Sequence, residues 1–174
     1  IDYKIMMISY MDFLGAGNAA RKIYEMLKTN GVNVELFVKE KKYVNSKIFH
    51  LNEKQKKIEK FFNLKNIFLN KVINNRITNN FSYSHKSLGW FRSPYADIIN
   101  NNDHDIVQLH WISNFLSIED IGNIKKPIVW RFSDMWPFTG INHYEHNIDN
   151  TFVTNGFDKQ FSISLDKISW KKKN

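Results

Sequence analysis

Three short clusters in this chain carry side chains able to do chemistry on a ligand. The first is Ser133-Asp-Met-Trp-Pro-Phe-Thr-Gly-Ile-Asn-His-Tyr144, a loop dense in aromatic and polar groups, with Asp134, Trp136, Thr139 and His143 as its candidate binding residues. The second is Gln108-Leu-His-Trp-Ile-Ser113. There His110 can donate a hydrogen bond to a sugar hydroxyl or a phosphate, and Trp111 offers a flat apolar face to a sugar ring. The third is Leu14-Gly-Ala-Gly-Asn18, where Gly15 and Gly17 let backbone N–H groups of Gly15, Ala16, Gly17 and Asn18 approach a ligand, and the helix that follows favours a phosphate at its N-terminus. Each cluster also has a plain structural reading. Trp136 and Phe138 can cap a core under a surface loop, His110 can be a hydrogen-bonded structural histidine, and Gly15–Gly17 can be a tight turn. His143 and His146 stand three apart, but no carboxylate sits at matching spacing, so no metal site is expected.

The elements that must position these clusters alternate strand and helix. Lys4 to Tyr10 predicts a first strand, Gly17 to Lys28 a helix and Asn33 to Lys39 a second strand, with Gly31 where a helix C-terminus favours glycine. Glu53 to Asn75 predicts a long helix, and Thr78 to Arg92 an irregular stretch. Ser93-Pro94 reads as an N-cap followed by proline at the first helical position, opening a short helix that Asn100 to Asp103 breaks. Asp105 to His110 is the next strand, Ser117-Ile-Glu-Asp120 caps a second short helix, and Pro127 to Phe132 is the last strand, with Val129, Trp130 and Phe132 read as buried. This order implies an α/β fold, a Rossmann-like parallel sheet flanked by helices, with all three clusters at carboxyl ends of strands.

Length and composition set the bounds. A chain of 174 residues with 43% hydrophobic content can bury one core and make one domain. No apolar run approaches the roughly 20 residues that span a bilayer, and the opening lacks the pattern of a signal peptide. A cytoplasmic chain, peripheral at most on the inner face of the membrane, is therefore expected. The absence of cysteine excludes disulfides, thiolate metal sites and cysteine nucleophiles.

Charge is concentrated. Between Lys39 and Arg76 stand eleven Lys/Arg against three glutamates, an excess equal to the net charge of +8 on the whole chain. Within that block Phe61, Phe62, Phe68 and Leu69 recur at helical spacing among Lys54, Lys56, Lys57 and Lys60. A basic amphipathic helix suits an anionic membrane surface, and those four lysines would face it. The competing reading is a domain helix whose apolar face meets the sheet. Nucleic acid is not expected, because neither exposed stacking aromatics nor a recognisable reading motif is evident.

The Ser133–Tyr144 loop resembles the His-Asp-Met-Trp-Pro-Phe-Thr-Gly-Gly-Cys-His-Tyr segment of family 4 glycosyltransferases that build bacterial surface polysaccharides, with serine in place of the leading histidine. Gln108 to Ser113 is similar to that family's His-Leu-His-Trp-Ile-Asn run, and Gly15 to Ala20 to its Gly-Gly-Ala-Gly-Arg-Ala-Ala loop, with Leu14 in place of the first glycine. Leu165 to Lys173 is similar to a further family stretch.

The resemblance implies the N-terminal half of a two-domain GT-B fold. Residues 1–144 would form the acceptor-side domain and 145–174 an irregular tail leading into a truncated helix, with the C-terminal donor-binding domain absent. It implies metal-independent, retaining transfer from a nucleotide-sugar to a lipid-linked or growing saccharide, with no cofactor beyond that co-substrate. His110, Trp111, Asp134, Trp136, Thr139 and His143 would be acceptor contacts, and Gly15 to Asn18 would cradle the donor phosphate. The chain alone is expected to be inactive, since orienting two substrates needs both walls of the cleft. Two other classes compete: an NAD-binding oxidoreductase domain, and a non-catalytic membrane- or nucleic-acid-associated protein.

Overall fold

The computed structural model describes residues 2–76, 86–144 and 165–173. Five strands form one parallel sheet in the order β3-β2-β1-β4-β5. They are β1 (Ile5–Met11), β2 (Val34–Glu40), β3 (Lys47–Ile48), β4 (Ile106–Leu109) and β5 (Ile128–Trp130). The alternation read from the sequence is therefore borne out as a Rossmann-like α/β sheet flanked by helices. Strand order reverses between β1 and β4, and in open α/β sheets ligands bind outside the carboxyl ends of the strands at such a point.

The central strands are apolar on both faces because helices cover both. Helix α1 (Leu14–Thr29) lays Tyr24, Ile23 and Leu27 over Met7, Val34, Leu36 and Val38. It stops at Gly31, whose φ of +79° lets its own N–H reach the Lys28 carbonyl at 3.0 Å while Val32 N–H reaches Leu27 at 3.0 Å. Across the sheet Met6, Ile8, Val107 and Leu109 pack with Phe49, Tyr95, Ile99 and Phe115. Two short helices border that face, α3 (Tyr95–Asn100) and α4 (Ile118–Asn123). Helix α4 opens with the expected capping box: Asp120 N–H donates to Ser117 Oγ at 3.0 Å and Ser117 N–H to Asp120 Oδ2 at 2.8 Å. The same buried carboxylate accepts the N–H of Ser93, tying α4 to the start of α3.

Several details differ from the sequence expectation. Helix α1 begins at Leu14, so Gly15–Asn18 are its first turn and not a preceding loop. The edge strand β3 was not anticipated. The last strand ends at Trp130 on the other edge, where β4 alone pairs with it among the described residues; Val129 and Phe132 are 54% and 52% exposed, not buried. In α3 the proline is the cap and Tyr95 the first helical residue.

The long basic helix α2 (Glu53–Arg76) exists, but its apolar face divides. Phe62 is buried and Leu69 packs toward Leu88, Ile141 and Trp90, whereas Phe61, Leu64 and Phe68 are more than half exposed. The reading in which Phe61 and Phe68 lie on the sheet is overturned. Lys54, Lys56, Lys57 and Lys60 are exposed. The terminal helix α5 (Leu165–Lys173) returns to the sheet's carboxyl end, where Trp90 Nε1–H donates to Ser169 Oγ at 2.8 Å. No helix among the described residues is long and apolar enough to cross a membrane.

Candidate functional site

Parallel pairing brings the three chemical clusters to one end of the sheet. Because Ile8 lies beside Leu109, the chains leave the sheet together: His110 N–H donates to Ile8 O at 2.9 Å and Tyr10 N–H to Trp111 O at 2.7 Å. Beyond β1 only Asp12 and Phe13 precede α1, so the first helical turn stands over the switch point. The chain after β5 bends back through a 3-10 turn at Trp136–Phe138 to face it. Between them lies a cleft of about 260 Å³ lined by Gly15, Ala16, Gly17, Trp111, Asp134 and His143, with Leu14, Ser133 and Tyr144 at its sides.

One wall is built to receive negative charge. The cap of α1 is Phe13, which offers no side-chain acceptor, and no acidic residue stands in the first turn. The leading N–H groups of a helix have no intrahelical partners, so they and the helix dipole favour an anion here. Gly17 is required by packing: a Cβ there would lie 2.7 Å from the Met11 carbonyl oxygen. Gly15 faces open space. Leu14 holds a φ of +57°, the left-handed region. Of the four residues expected to cradle a phosphate, Gly15, Ala16 and Gly17 line the cleft, whereas Asn18 is exposed outside that lining.

The opposite wall is held by a buried polar chain. Asp134 Oδ2 lies 2.6 Å from His143 Nδ1, and His143 Nε2 lies 2.8 Å from Ser87 Oγ. With Asp134 ionised and the ring neutral, the Nδ1 proton points at Asp134 and Nε2 accepts from the serine hydroxyl. The connectivity is that of a Ser-His-Asp triad. Its serine is sealed, however: Ser87 is 3% exposed, its N–H donates to Ile141 O, its carbonyl accepts from Trp136 Nε1–H, and Trp136 stacks on the His143 ring. No substrate carbonyl can reach that hydroxyl, so the chain of bonds fixes the loop. Asp134 Oδ1 completes it by accepting Trp136 N–H at 3.0 Å.

The remaining residues expected to bind an acceptor are placed as follows. Trp111 lines the cleft and meets Tyr10 edge-on. Trp136 is 3% exposed and belongs to the loop's interior. Thr139 is fully buried, donating to Asn142 O, so it shapes the loop and does not face the cleft. His110 is 1% exposed and neither ring nitrogen has a partner among the described residues. It lines a space of about 10 Å³ behind the cleft, shared with Trp111, Ser133, Asp134 and His143, which is about the room one water needs. Burial, with the Arg131 charge adding to it, pushes its pKa down to about 4, so the ring is neutral near pH 7.

Two further groups shape the site and were not read from the sequence. Asp12, 1% exposed, accepts the N–H groups of Lys42 and Tyr43 at 2.7 and 2.8 Å and the Ser46 hydroxyl, pinning the β2–β3 connection to the end of β1, from which α1 starts. A carboxylate at the end of the first strand was its only sequence signal. Lys173 donates to the carbonyls of Trp136, Thr139 and Gly140 and lies 3.8 Å from the Trp136 ring centre, so α5 caps the turn. Glu40, where a dinucleotide-binding fold needs a ribose partner, is instead the acceptor of Tyr10 OH at 2.6 Å. Among the described residues no three His, Asp or Glu side chains cluster in a way that could hold a metal ion. His146 lies outside the described residues. Comparison with protein-family models, curated proteins and solved structures returns no match to this chain.

Proposed function

We propose that this chain is the acceptor-side domain of a retaining glycosyltransferase that moves a sugar from a nucleotide-sugar to a lipid-linked or growing saccharide. The observation that carries the reading is the cleft itself. The open first turn of α1 faces Trp111, Asp134 and His143 across one space of about 260 Å³, at the switch point of the sheet. A phosphate suits the first wall and a sugar ring suits the indole of the second. In this reading the groups that hold the nucleotide-sugar belong to a second domain meeting this one across the cleft.

Of the six residues expected to contact an acceptor, Trp111 is the direct contact, with Asp134 and His143 presenting their cleft-facing edges; Ser133, outside that set, also lines the cleft and joins them. His110, Trp136 and Thr139 support that wall from behind. Ser133 stands where the resembling enzymes carry histidine, so a short neutral hydroxyl replaces a group able to carry charge. Against the oxidoreductase alternative stand the engaged Glu40 and the helix that starts two residues after β1, leaving no glycine-rich turn ahead of it.

The test is calorimetric titration of the chain with a short, water-soluble prenyl diphosphate-linked saccharide, with nucleotide-sugars and with NAD. Binding of the diphosphate-linked saccharide, lost in Trp111→Ala, supports the reading. Micromolar NAD binding with no saccharide binding overturns it in favour of an oxidoreductase domain.

A further inference from the structure

The outward face of α2 has a layout that the chain itself does not use. Lys57, Phe61, Leu64, Phe68 and Lys71 follow one another at intervals of four, three, four and three residues, which is a single line along a helix. The three apolar members of that line are 59%, 56% and 67% exposed. The line is an apolar stripe with a cation at each end, and Lys54 and Lys60 border it. Lys65 Nζ lies over the Phe61 ring, 4.2 Å from its centre, and 4.8 Å from the centre of the Phe91 ring.

The helix's own two carboxylates, Glu53 and Glu59, are kept off this face. Glu59 turns inward, 3.4 Å from Lys39 at the end of β2, and accepts the Tyr95 hydroxyl. Glu53 is in the first turn and is paired with Lys56. The helix is therefore clamped by its inner side through Glu59, Phe62 and Leu69, and its outer side carries positive charge around exposed phenylalanine and leucine.

We infer that this face of α2 docks on an anionic lipid surface, with Phe61, Leu64 and Phe68 entering the headgroup–acyl boundary and the lysines meeting lipid phosphates. Charge decides against a second copy of the chain, since pairing two such faces sets lysine against lysine. Shape decides against single-stranded nucleic acid, which is held in grooves or on stacking platforms, whereas this face is the convex exterior of a helix. The inference goes beyond the catalytic reading and does not depend on it. It does place that reading usefully, because Leu69 on the inner side of α2 packs beside Ile141, two residues from His143.

The test is flotation of the full chain with vesicles of phosphatidylcholine alone or with added phosphatidylglycerol. The chain is expected to float with the anionic vesicles and to be released when salt is raised severalfold above physiological strength. Phe61→Ser with Phe68→Ser should weaken binding by about tenfold or more while far-UV circular dichroism stays unchanged, since both side chains already face solvent. Lys54→Gln with Lys57→Gln should weaken binding and flatten the salt dependence. A Phe68→Trp variant should shift its emission to the blue on anionic vesicles alone. No flotation, flotation unaffected by the phenylalanine pair, concentration-dependent dimerisation through this face, or displacement of vesicles by oligonucleotide would each overturn the inference. A chain that floats but binds no saccharide leaves the docking face standing and removes only the catalytic reading.

Discussion

The carboxylate of Asp134 holds the imidazole of His143 at 2.6 Å and, through its other oxygen, the Trp136 N–H at 3.0 Å. One side chain thus fixes both ends of the loop that walls the cleft. Replacing Asp134 with Ala leaves the buried His143 Nδ1–H and the Trp136 N–H short of that acceptor, and a cost of about 2–4 kcal/mol is expected. Urea denaturation should read the loss. A variant as stable as the parent would show that the loop is held by other means.

Leu14 sits at φ +57° with its side chain 65% exposed, so it contributes little packing at a backbone conformation that costs a non-glycine residue roughly 1–2 kcal/mol. Leu14→Gly should stabilise the chain by up to about 1 kcal/mol once the greater unfolded-state entropy of glycine is counted. Leu14→Ala, which keeps the strain, should not. Equal effects of the two variants would contradict the conformational explanation.

The two glycines of the first helical turn should respond in opposite directions. A Cβ on Gly17 meets the Met11 carbonyl oxygen at 2.7 Å, so Gly17→Ala must push α1 off β1 and should cost about 1–3 kcal/mol. Gly15 meets nothing within 4 Å, and Gly15→Ala should be neutral or stabilising by up to roughly 1 kcal/mol. Thermal denaturation of the two variants separates them. A stable Gly17→Ala protein would mean that the helix does not approach the strand this closely.

His110 sets an acid limit on stability. Its folded pKa of about 4 lies below the ordinary 6.5, so the unfolded chain binds the extra proton between those values. The corresponding stability is fully present above about pH 6.5 and is lost as pH falls toward 4, a loss on the order of 3 kcal/mol. His110→Leu should flatten the stability profile of the chain across that window. An unchanged profile in the variant would assign the acid sensitivity elsewhere, His104 being the next candidate because burial also lowers its pKa.

What the sequence made legible was local. Gly31 at its positive φ, the Ser117–Asp120 capping box and the apolar runs of β1 and β2 each carry their signal within a few residues, and all formed as expected. The rest depended on partners distant in the chain. Periodicity marked one apolar face on α2 and could not say that Phe62 and Leu69 face the protein while Phe61 and Phe68 face solvent. Val129 belongs to a β-branched run, yet its exposure follows from β5 lying at the sheet's edge. Ser87 sits in a stretch with no pattern, and only the pairing of Lys86 with Asn142 brings it to His143. Thr139, read as a ligand contact from its place in the loop, is consumed by the loop's own carbonyls.

The most direct test of the account is residue-resolved NMR of the chain titrated with the soluble prenyl diphosphate-linked saccharide. If the cleft is one site with a phosphate wall and a sugar wall, and the acceptor's diphosphate occupies the phosphate wall while no donor is bound there, the amides of Gly15, Ala16 and Gly17 and the indole N–H of Trp111 should shift together with a single dissociation constant. Inorganic pyrophosphate should move only the helix amides. Shifts confined to one wall, or none at either at millimolar saccharide, would contradict it.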